Sequence, residues 1–171
     1  IGDWVYVPRR LSGVASDGGA VAAPVPSEGA DTVVSPALGA VLGYLSGDGN
    51  VYYDRLEGVY GIRFTNKEEQ LLADFERACR DAFGSEPVRP PSEQRAGGVE
   101  TVRLPGREYA DAVLEAGMNL ETYDGKAFPD GVSAASRATK AAFVRALADS
   151  EGCVDTTTGN VKLYSSSYEL L

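Results

Sequence analysis

Two stretches in the first half of the chain carry apolar residues at helical spacing. The stronger one runs from Lys67 to Phe83, and its apolar side chains fall on one face. They are Leu71, Leu72, Phe75, Cys79 and Phe83. Asn66 is the expected N-cap of this helix. The other helix is predicted from about Ala37 to Asp48, with Gly49 as its C-terminal cap.

Aromatic and β-branched residues between and after these helices predict antiparallel strands. VYYD and VYGIRFTN form a predicted hairpin that turns near Glu57 and Gly58. Segments near Val88 and over 99–104 predict a second hairpin, and a helix is expected over 107–116. The resulting order, αββαββα, places the chain in the α+β class.

The last part of the chain repeats the first elements. A helix is predicted from about Ser136 to Glu151, and CVDTTTGNVKLYSSS then predicts a hairpin that turns at 158–160. The final YELL matches EQLL of the first copy, so that Leu170 aligns with Leu71 at an offset of 99 residues. We therefore expect the chain to stop just inside the second copy's outer helix, which would make it C-terminally truncated.

VLGYLSGDG and FVRALADSEG are two copies of one segment, each an expected helix that ends in an acid followed by glycine. Aligning Asp48 with Glu151, an offset of 103 residues, also aligns glycine with glycine and valine with valine. Small residues then recur every four positions on one face of each helix. They are Gly39, Gly43 and Gly47 in the first copy and Ala142, Ala146 and Ser150 in the second. Since such faces let helix backbones approach closely, we expect these two helices to pack through them.

The beginning of the chain lacks a sustained period. GDWVYVP predicts a short strand ended by Pro8, and residues 12–36 are rich in Gly, Ala, Ser and Pro, which is typical of a linker. The predicted organisation has four parts. These are an initial segment over 1–11, a linker over 12–36, a first repeat over 37–124 and a second repeat over 125–171.

The net charge of −9 is unusual for a DNA-binding protein, because Lys and Arg supply most phosphate contacts. Either the chain has no nucleic-acid function, or it comes from a salt-loving organism with an acidic surface and few lysines. Acids concentrate on the predicted helix over 67–83, whereas arginines balance the acids of the first hairpin. This distribution favours the second alternative.

Residue types limit the chemistry and the compartment. The chain has no histidine, which excludes Ser-His and Cys-His nucleophilic catalysis and leaves carboxylates for metal chemistry. Cys79 and Cys153 lack metal-ligand spacing, so we expect buried thiols in a reducing compartment. With neither a membrane span nor a signal segment in the sequence, we expect a cytoplasmic protein without a membrane partner.

Together these motifs resemble the LAGLIDADG homing endonucleases of the DOD type that are inserted in archaeal inteins. LGYLSGDG and FVRALADSEG are similar to the two motifs that name the family, and GKAFPDG over 125–131 is similar to a lysine-containing block before the second motif. IGDWVYVPRRL resembles the end of an intein splicing (Hint) domain. The resemblance implies two αββαββα repeats that straddle DNA as a saddle, a pseudo-dimeric monomer when complete, here with a partial second repeat. Together with the acidic composition it indicates a halophilic source.

The expected site lies where the two motif helices end. Asp48 and Glu151 are predicted in the last turns, where the backbone carbonyls make the potential negative. Two carboxylates brought together there raise each other's pKa or recruit a cation, and oxygen ligands of this kind suit Mg²⁺. The resemblance implies that the complete two-repeat protein hydrolyses both strands of a DNA target with Mg²⁺, with Lys126 near the cleaved phosphate. Whether the truncated chain is active by itself stays open. The resemblance also implies host-protein exteins joined in cis.

Sequence readout is expected from strand side chains that enter the major groove of double-stranded DNA. The candidates are Tyr52, Asp54, Arg55, Tyr60, Arg63, Arg89, Arg95 and Arg103. A slip of the strand phase by one residue would send each side chain to the opposite face, and a solvated surface position is the alternative for any single arginine. The residues Tyr44, Leu72, Phe75 and Phe143 are expected in the core instead.

Two other functions stay open at this point. The scaffold could bind nucleic acid without cleaving it, as in RNA maturases and transcription regulators of this type, or belong to a splicing intein whose endonuclease is inactive. Splicing by this chain alone is excluded because it contains no histidine. Retention of both acids and of Lys126 favours the nuclease.

Overall fold

The structure, a computed structural model, describes residues 34–91, 98–122, 125–167 and 169–170. The first elements are α1 (Pro36–Ser46), β1 (Gly49–Asp54), β2 (Val59–Asn66), α2 (Glu69–Phe83), β3 (Glu100–Pro105) and α3 (Arg107–Glu115). They are followed by α4 (Asp130–Ser133), α5 (Arg137–Glu151), β4 (Gly152–Val154) and β5 (Val161–Leu163). The predicted segment 1–11, nearly all of the predicted linker and Arg95 lie outside the described residues.

Strands β1, β2 and β3 form one antiparallel sheet in that order. The β1–β2 turn is closed by the Asp54 carboxylate, which accepts the N–H groups of Leu56 and Glu57 at 2.8 and 3.0 Å. The predicted second hairpin is present in reduced form, because Val88 pairs with Arg103 of β3 through two backbone hydrogen bonds of 2.7 and 2.8 Å. The α+β class and the order of the first repeat are thus confirmed, with one strand shortened to a bridge.

The two strands after α5 form a separate sheet that copies the first hairpin in miniature. β4 and β5 pair over three residues. In their turn the Asp155 carboxylate accepts the N–H groups of Thr157 and Thr158 at 3.0 and 3.2 Å, as Asp54 does in the first copy. Gly159 follows with φ +70°, a conformation that favours glycine. The turn predicted at 158–160 is therefore confirmed within two residues.

Helix α1 begins and ends earlier than predicted. The Ser35 hydroxyl caps its start by accepting the Leu38 N–H at 3.1 Å. The helix ends at Gly47, whose N–H donates to the Gly43 carbonyl at 3.1 Å. The prediction of Gly49 as the cap is wrong, because Gly49 already belongs to β1.

The start of α2 also differs from the prediction. Glu68, not Asn66, is the residue before the first helical position. Asn66 ends β2, and its Oδ1 accepts the N–H groups of Lys67 and Glu68 at 2.8 and 2.9 Å. Its carbonyl oxygen therefore stabilises the turn into the helix rather than the helix terminus itself.

The core is built around α1, most of whose residues are buried. The Tyr44 ring packs edge-on against Phe64 and Phe75, with centroid separations of 5.2 and 6.0 Å. The four predicted core residues are confirmed as buried: Tyr44, Leu72, Phe75 and Phe143. The sequence predicts both cysteines to be buried. Cys79 is buried, whereas the prediction is wrong for Cys153, because Cys153 lies on the largely exposed strand β4.

Helices α1 and α5 touch along the faces that carry the small residues. The contacts join Gly39 to Thr139, Gly43 to Phe143 and Ala146, and Gly47 to Ser150. A Cβ atom at Gly43 would lie 2.8 Å from Ala146 Cβ and 3.1 Å from the Leu147 backbone nitrogen. Since real Cβ atoms rarely come this close to a backbone, the separation of the two helices depends on glycine at this position.

One position of the predicted α5 face departs from the repeat. Ala142 is only half buried and lies beside the contact, whereas Thr139 is fully buried against Gly39. The Thr139 hydroxyl donates to the Val34 carbonyl at 2.9 Å. This buried hydroxyl therefore has a hydrogen-bond partner where α1 and α5 cross. No helix within the described ranges is long and apolar enough to cross a membrane.

We expect Gly43→Ala to destabilise the fold by about 1–3 kcal/mol, since the added methyl must displace backbone atoms of α5. Urea unfolding measures this change in the free energy of unfolding. Ala141→Leu, which adds a larger side chain on an exposed position of α5, is the control and should stay within about 0.5 kcal/mol. Equal stability of Gly43→Ala and the parent chain would show that the helices do not need this close approach.

Candidate active site

The two acids of the repeated segment lie at the same end of the α1–α5 pair. Glu151 is the last residue of α5, as expected. Asp48 lies in the turn just after α1, so its predicted place in the last turn is corrected, because the helix stops at Gly47. A Cβ atom at Gly47 would lie 3.3 Å from Glu151 Cγ. The Glu151 side chain therefore stands beside the residue that precedes Asp48.

Backbone hydrogen bonds hold both acids in the same way. The Thr65 N–H donates to the Asp48 carbonyl at 3.4 Å, and the Tyr164 N–H donates to the Glu151 carbonyl at 3.2 Å. Thr65 and Tyr164 are related by the offset of 99 residues, as the second strands of the two hairpins are in the sequence. The two acids thus occupy corresponding positions of the internal repeat.

Lys126 enters this site from the segment before α4. Its ammonium group donates to the carbonyl oxygens of Leu45 and Ser46 at 3.3 and 3.1 Å and also to that of Gly47. The last carbonyls of a helix lack partners within the helix, so the lysine satisfies the C-terminal end of α1. The sequence motif around Lys126 did not predict this contact, because the residues involved are about eighty positions apart.

The two carboxylates and the lysine influence one another's ionisation. Burial raises the pKa of Asp48, while the hydrogen bond from Asn66 and the charge of Lys126 oppose this shift. Burial and then the charge of Asp48 raise the pKa of Glu151, again opposed by Lys126. Burial lowers the pKa of Lys126, and both carboxylates oppose that change. The three groups therefore form one electrostatic unit.

Asn66 is a member of the site that the sequence did not assign. Its Nδ2 donates to Asp48 Oδ2 at 2.7 Å. Asn66 directly follows Thr65, whose N–H donates to the Asp48 carbonyl. Its position in the site can therefore be inferred only once the pairing of β2 with the segment after α1 is known.

The donor set is compatible with a small divalent cation. Within the described residues no cluster of three or more His, Cys, Asp or Glu side chains is suited to hold a metal, so this end of the helices supplies two carboxylates. Carbonyl oxygens at the end of α1 already face a positive group, the Lys126 ammonium. Mg²⁺ and similar ions bind through one or two carboxylates, with water and phosphate completing the shell. The residues therefore fit such an ion, with water completing its shell in the free protein and phosphate oxygens taking part in a DNA complex.

The outer face of the three-stranded sheet gathers a second group of candidates. Strand pairing aligns Asn50 with Arg63 and Arg63 with Arg103 in one row across the sheet. Arg63 Nε donates to Asn50 Oδ1 at 2.7 Å. The Arg103 guanidinium lies 5.7 Å from the centroid of the Tyr52 ring. Tyr52, Arg63 and Arg103 thus share one face, next to the site of the two acids.

The remaining readout candidates lie elsewhere. Tyr60 pairs with Tyr53 on the other face of the sheet, with ring centroids 4.7 Å apart. Its offset of three positions from Arg63 on the same strand is odd, so the two side chains point to opposite faces. Arg55 is exposed in the β1–β2 turn and lies 5.6 Å from the Tyr53 ring centroid. Asp54 closes the same turn with its carboxylate.

Arg89 is engaged by acids from three parts of the chain. It contacts Glu76 at 2.5 Å, Glu69 at 2.7 Å and Glu100 at 3.4 Å. These contacts tie the Val88 bridge to α2 and β3, so Arg89 joins structural elements and is only partly exposed. These contacts favour a structural role for Arg89 over its predicted role in reading the DNA sequence.

Comparison with known proteins identifies the fold. Residues 138–171 match a protein family described as a LAGLIDADG-like domain. Structures of the homing endonuclease I-DmoI are similar to this chain, one of them a study of mesophilic variants, with a TM-score of 0.56 and 17% identity over 76% of this chain. The chain has the LAGLIDADG homing endonuclease fold.

Two further I-DmoI structures were solved in complex with DNA. One contains Ca, with a TM-score of 0.51 and 19% identity over 76% of this chain and 63% of that one. The other contains Mn, with the same TM-score and identity over 76% of this chain and 68% of that one. The chain spans 64% of the first I-DmoI structure, less than two thirds. No curated protein sequence matches the chain.

We expect Glu151→Gln to raise the melting temperature of the metal-free protein at about pH 7. Because the pKa of Glu151 is raised above its usual 4.5 in the fold, the ionised carboxylate is less favourable in the folded chain than in the unfolded chain. The contribution of Glu151 to stability is therefore full below pH 4.5 and is lost as the pH rises through the raised pKa. Thermal unfolding across this range measures the difference.

The difference between the variant and the parent should disappear near pH 4 or below, where the Glu151 carboxyl is neutral in both states. Asp149→Asn, at an exposed position of the same helix, controls for the loss of one negative charge from α5. A variant less stable than the parent at neutral pH would show that ionised Glu151 is favourable in the metal-free fold.

Proposed function

We propose that this chain is a site-specific DNA endonuclease that hydrolyses both strands of its target with a divalent cation, Mg²⁺ in the cell. The observation that carries the proposal is the meeting of Asp48, Glu151 and Lys126 at one end of the close-packed α1–α5 pair. The LAGLIDADG homing endonuclease fold and the complexes of I-DmoI with DNA, Ca and Mn support it.

The cation would be held by Asp48 and Glu151. When bound, a divalent ion activates water and neutralises the charge that develops on the leaving oxygen. The chain's own contribution is to hold two carboxylates side by side where burial raises the pKa of each. Their repulsion and burial make a positive ligand favourable at this point.

Lys126 contributes a positive charge next to both carboxylates. Its ammonium group rests on the last carbonyls of α1, and the segment is also anchored by the Phe128 N–H, which donates to the Glu169 carbonyl at 3.3 Å. An ammonium group held in this way can stabilise the negative charge of a phosphate that approaches the acids.

Target recognition is proposed for the outer face of the sheet, through Tyr52, Arg63 and Arg103. Within the described residues Arg63 uses its Nε to bond Asn50, which orients the guanidinium while its two terminal amino groups can donate to a base edge. Arginine pairs with guanine O6 and N7 in this way in the major groove. Arg55 at the exposed turn is suited to a phosphate contact.

The biological setting is proposed from sequence features alone. IGDWVYVPRRL and GKAFPDG support an intein of an archaeal host, with exteins joined in cis, and the net charge of −9 with only four lysines supports a halophilic source. High cytoplasmic salt would also screen the repulsion between an acidic surface and DNA phosphates, so that the net charge is compatible with DNA binding.

The test is cleavage of a pool of linear DNA duplexes with a randomised segment, with Mg²⁺ or Mn²⁺ in high-salt buffer. Cut molecules are recovered by ligation of an adaptor and sequenced, and we expect one enriched site. Asp48→Asn and Glu151→Gln should each lower the cleavage rate at that site by at least about 100-fold, because a bound cation contributes several kcal/mol.

Binding of the selected duplex, measured in Ca²⁺ by fluorescence anisotropy, should survive both substitutions. Asp149→Asn, two residues before Glu151 on the same helix, is the matched control and should cleave at the parent rate. Undiminished cleavage by Asp48→Asn or Glu151→Gln would contradict the mechanism. Binding of duplexes without any cleavage by the parent would favour a non-cleaving nucleic-acid-binding protein instead.

A further inference from the structure

The Asn66 side chain is fixed at both ends. Its Oδ1 accepts the N–H groups of Lys67 and Glu68, and its Nδ2 donates to Asp48 Oδ2 at 2.7 Å. Two backbone donors require the oxygen end of the amide, so the nitrogen end must face the carboxylate. The turn into α2 therefore determines which group is presented to Asp48.

Asp48 needs such a partner because it lies in a turn rather than in a helix. A carboxylate in such a turn can rotate about its side-chain bonds. The amide of Asn66 binds one carboxylate oxygen and so selects one orientation of the group. The second oxygen stays available for a cation. Partners of this kind orient metal-binding carboxylates and affect metal affinity.

The internal repeat supplies a natural comparison. Ser165 corresponds to Asn66 at the offset of 99 residues, and its Oγ accepts the Ser167 N–H at 3.0 Å, the counterpart of the Glu68 N–H. The backbone turn is thus stabilised in both copies. Within the described part of the chain, no side chain donates a hydrogen bond to the Glu151 carboxylate. The amide of Asn66 is what distinguishes the two copies.

We propose that Asn66 is a positioning residue that orients the Asp48 carboxylate for cation binding, and that none of the described residues of the second repeat clamps the Glu151 carboxylate in the same way. The two acids are therefore unequal: Asp48 is preorganised, whereas Glu151 must be ordered by the cation. This inference rests on the proposed function in one respect, namely that Asp48 binds a divalent ion.

The test uses Asn66→Ser in the full 171-residue chain. Serine keeps an acceptor for the backbone turn, as Ser165 does in the second copy, and removes the amide nitrogen that donates to Asp48. We expect the affinity for Mn²⁺, measured by electron paramagnetic resonance of the free ion, to fall by about 10- to 100-fold. The metal-free melting temperature should change little, because the turn into α2 is retained.

Asn160→Ser is the matched control, since it makes the same substitution in the β4–β5 turn and should leave the Mn²⁺ affinity unchanged. Parent-like Mn²⁺ affinity in Asn66→Ser, together with lost affinity in Asp48→Asn, would overturn the positioning role and leave the proposed function intact. Absence of Mn²⁺ binding by the parent would instead overturn the proposed function, and this inference with it.

A second measurement is independent of metal. In ¹H–¹⁵N spectra of the metal-free parent, the Asn66 side-chain amide signals should shift strongly in Asp48→Ala and little in Glu151→Ala. Equal or absent shifts in the two variants would show that Asn66 does not bond Asp48 in solution and would overturn the proposal.

Discussion

The site depends on how closely α1 and α5 approach each other. Glycines at 39, 43 and 47 remove the side-chain bulk that normally separates packed helices, and α5 backbone atoms occupy the space that a Cβ at Gly43 would need. Because Asp48 follows the end of α1 and Glu151 ends α5, the separation of the helices also sets the separation of the two carboxylates. Packing in the core and chemistry at the helix ends are thus controlled by the same contact.

The same contact brings two carboxylates close together, and the other groups of the site reduce the repulsion between them. Two carboxylates meet where the carbonyls of α1 end without helical partners, and burial raises the pKa of both acids. Lys126 stabilises the carbonyls directly and the carboxylates through its charge. Asn66 holds one of the acids by a neutral hydrogen bond. The protein groups reduce the repulsion without removing it, which is the condition under which a small divalent cation binds favourably.

Much of this arrangement could be predicted from the sequence, because it follows from periodicity and repetition. The helices, the first hairpin, the buried Tyr44 and Phe143 and the small-residue face of α1 all follow from local patterns. What escaped prediction depends on contacts between distant segments. The role of Arg89 depends on its ion pair with Glu100 of β3. The role of Asn66 depends on its hydrogen bond to Asp48, which lies at the other end of the first hairpin along the chain. The face of Tyr60 follows from strand pairing, which composition does not reveal.

In the proposed site, Asp48 and Glu151 together bind one cation at the end of the α1–α5 pair. This can be tested by anomalous diffraction at the manganese edge, from crystals of the chain grown with Mn²⁺ and a cleaved or resistant DNA duplex. We expect an anomalous peak bonded to oxygens of both carboxylates. A manganese ion bound elsewhere, with Asp48 and Glu151 apart and without metal, would contradict it.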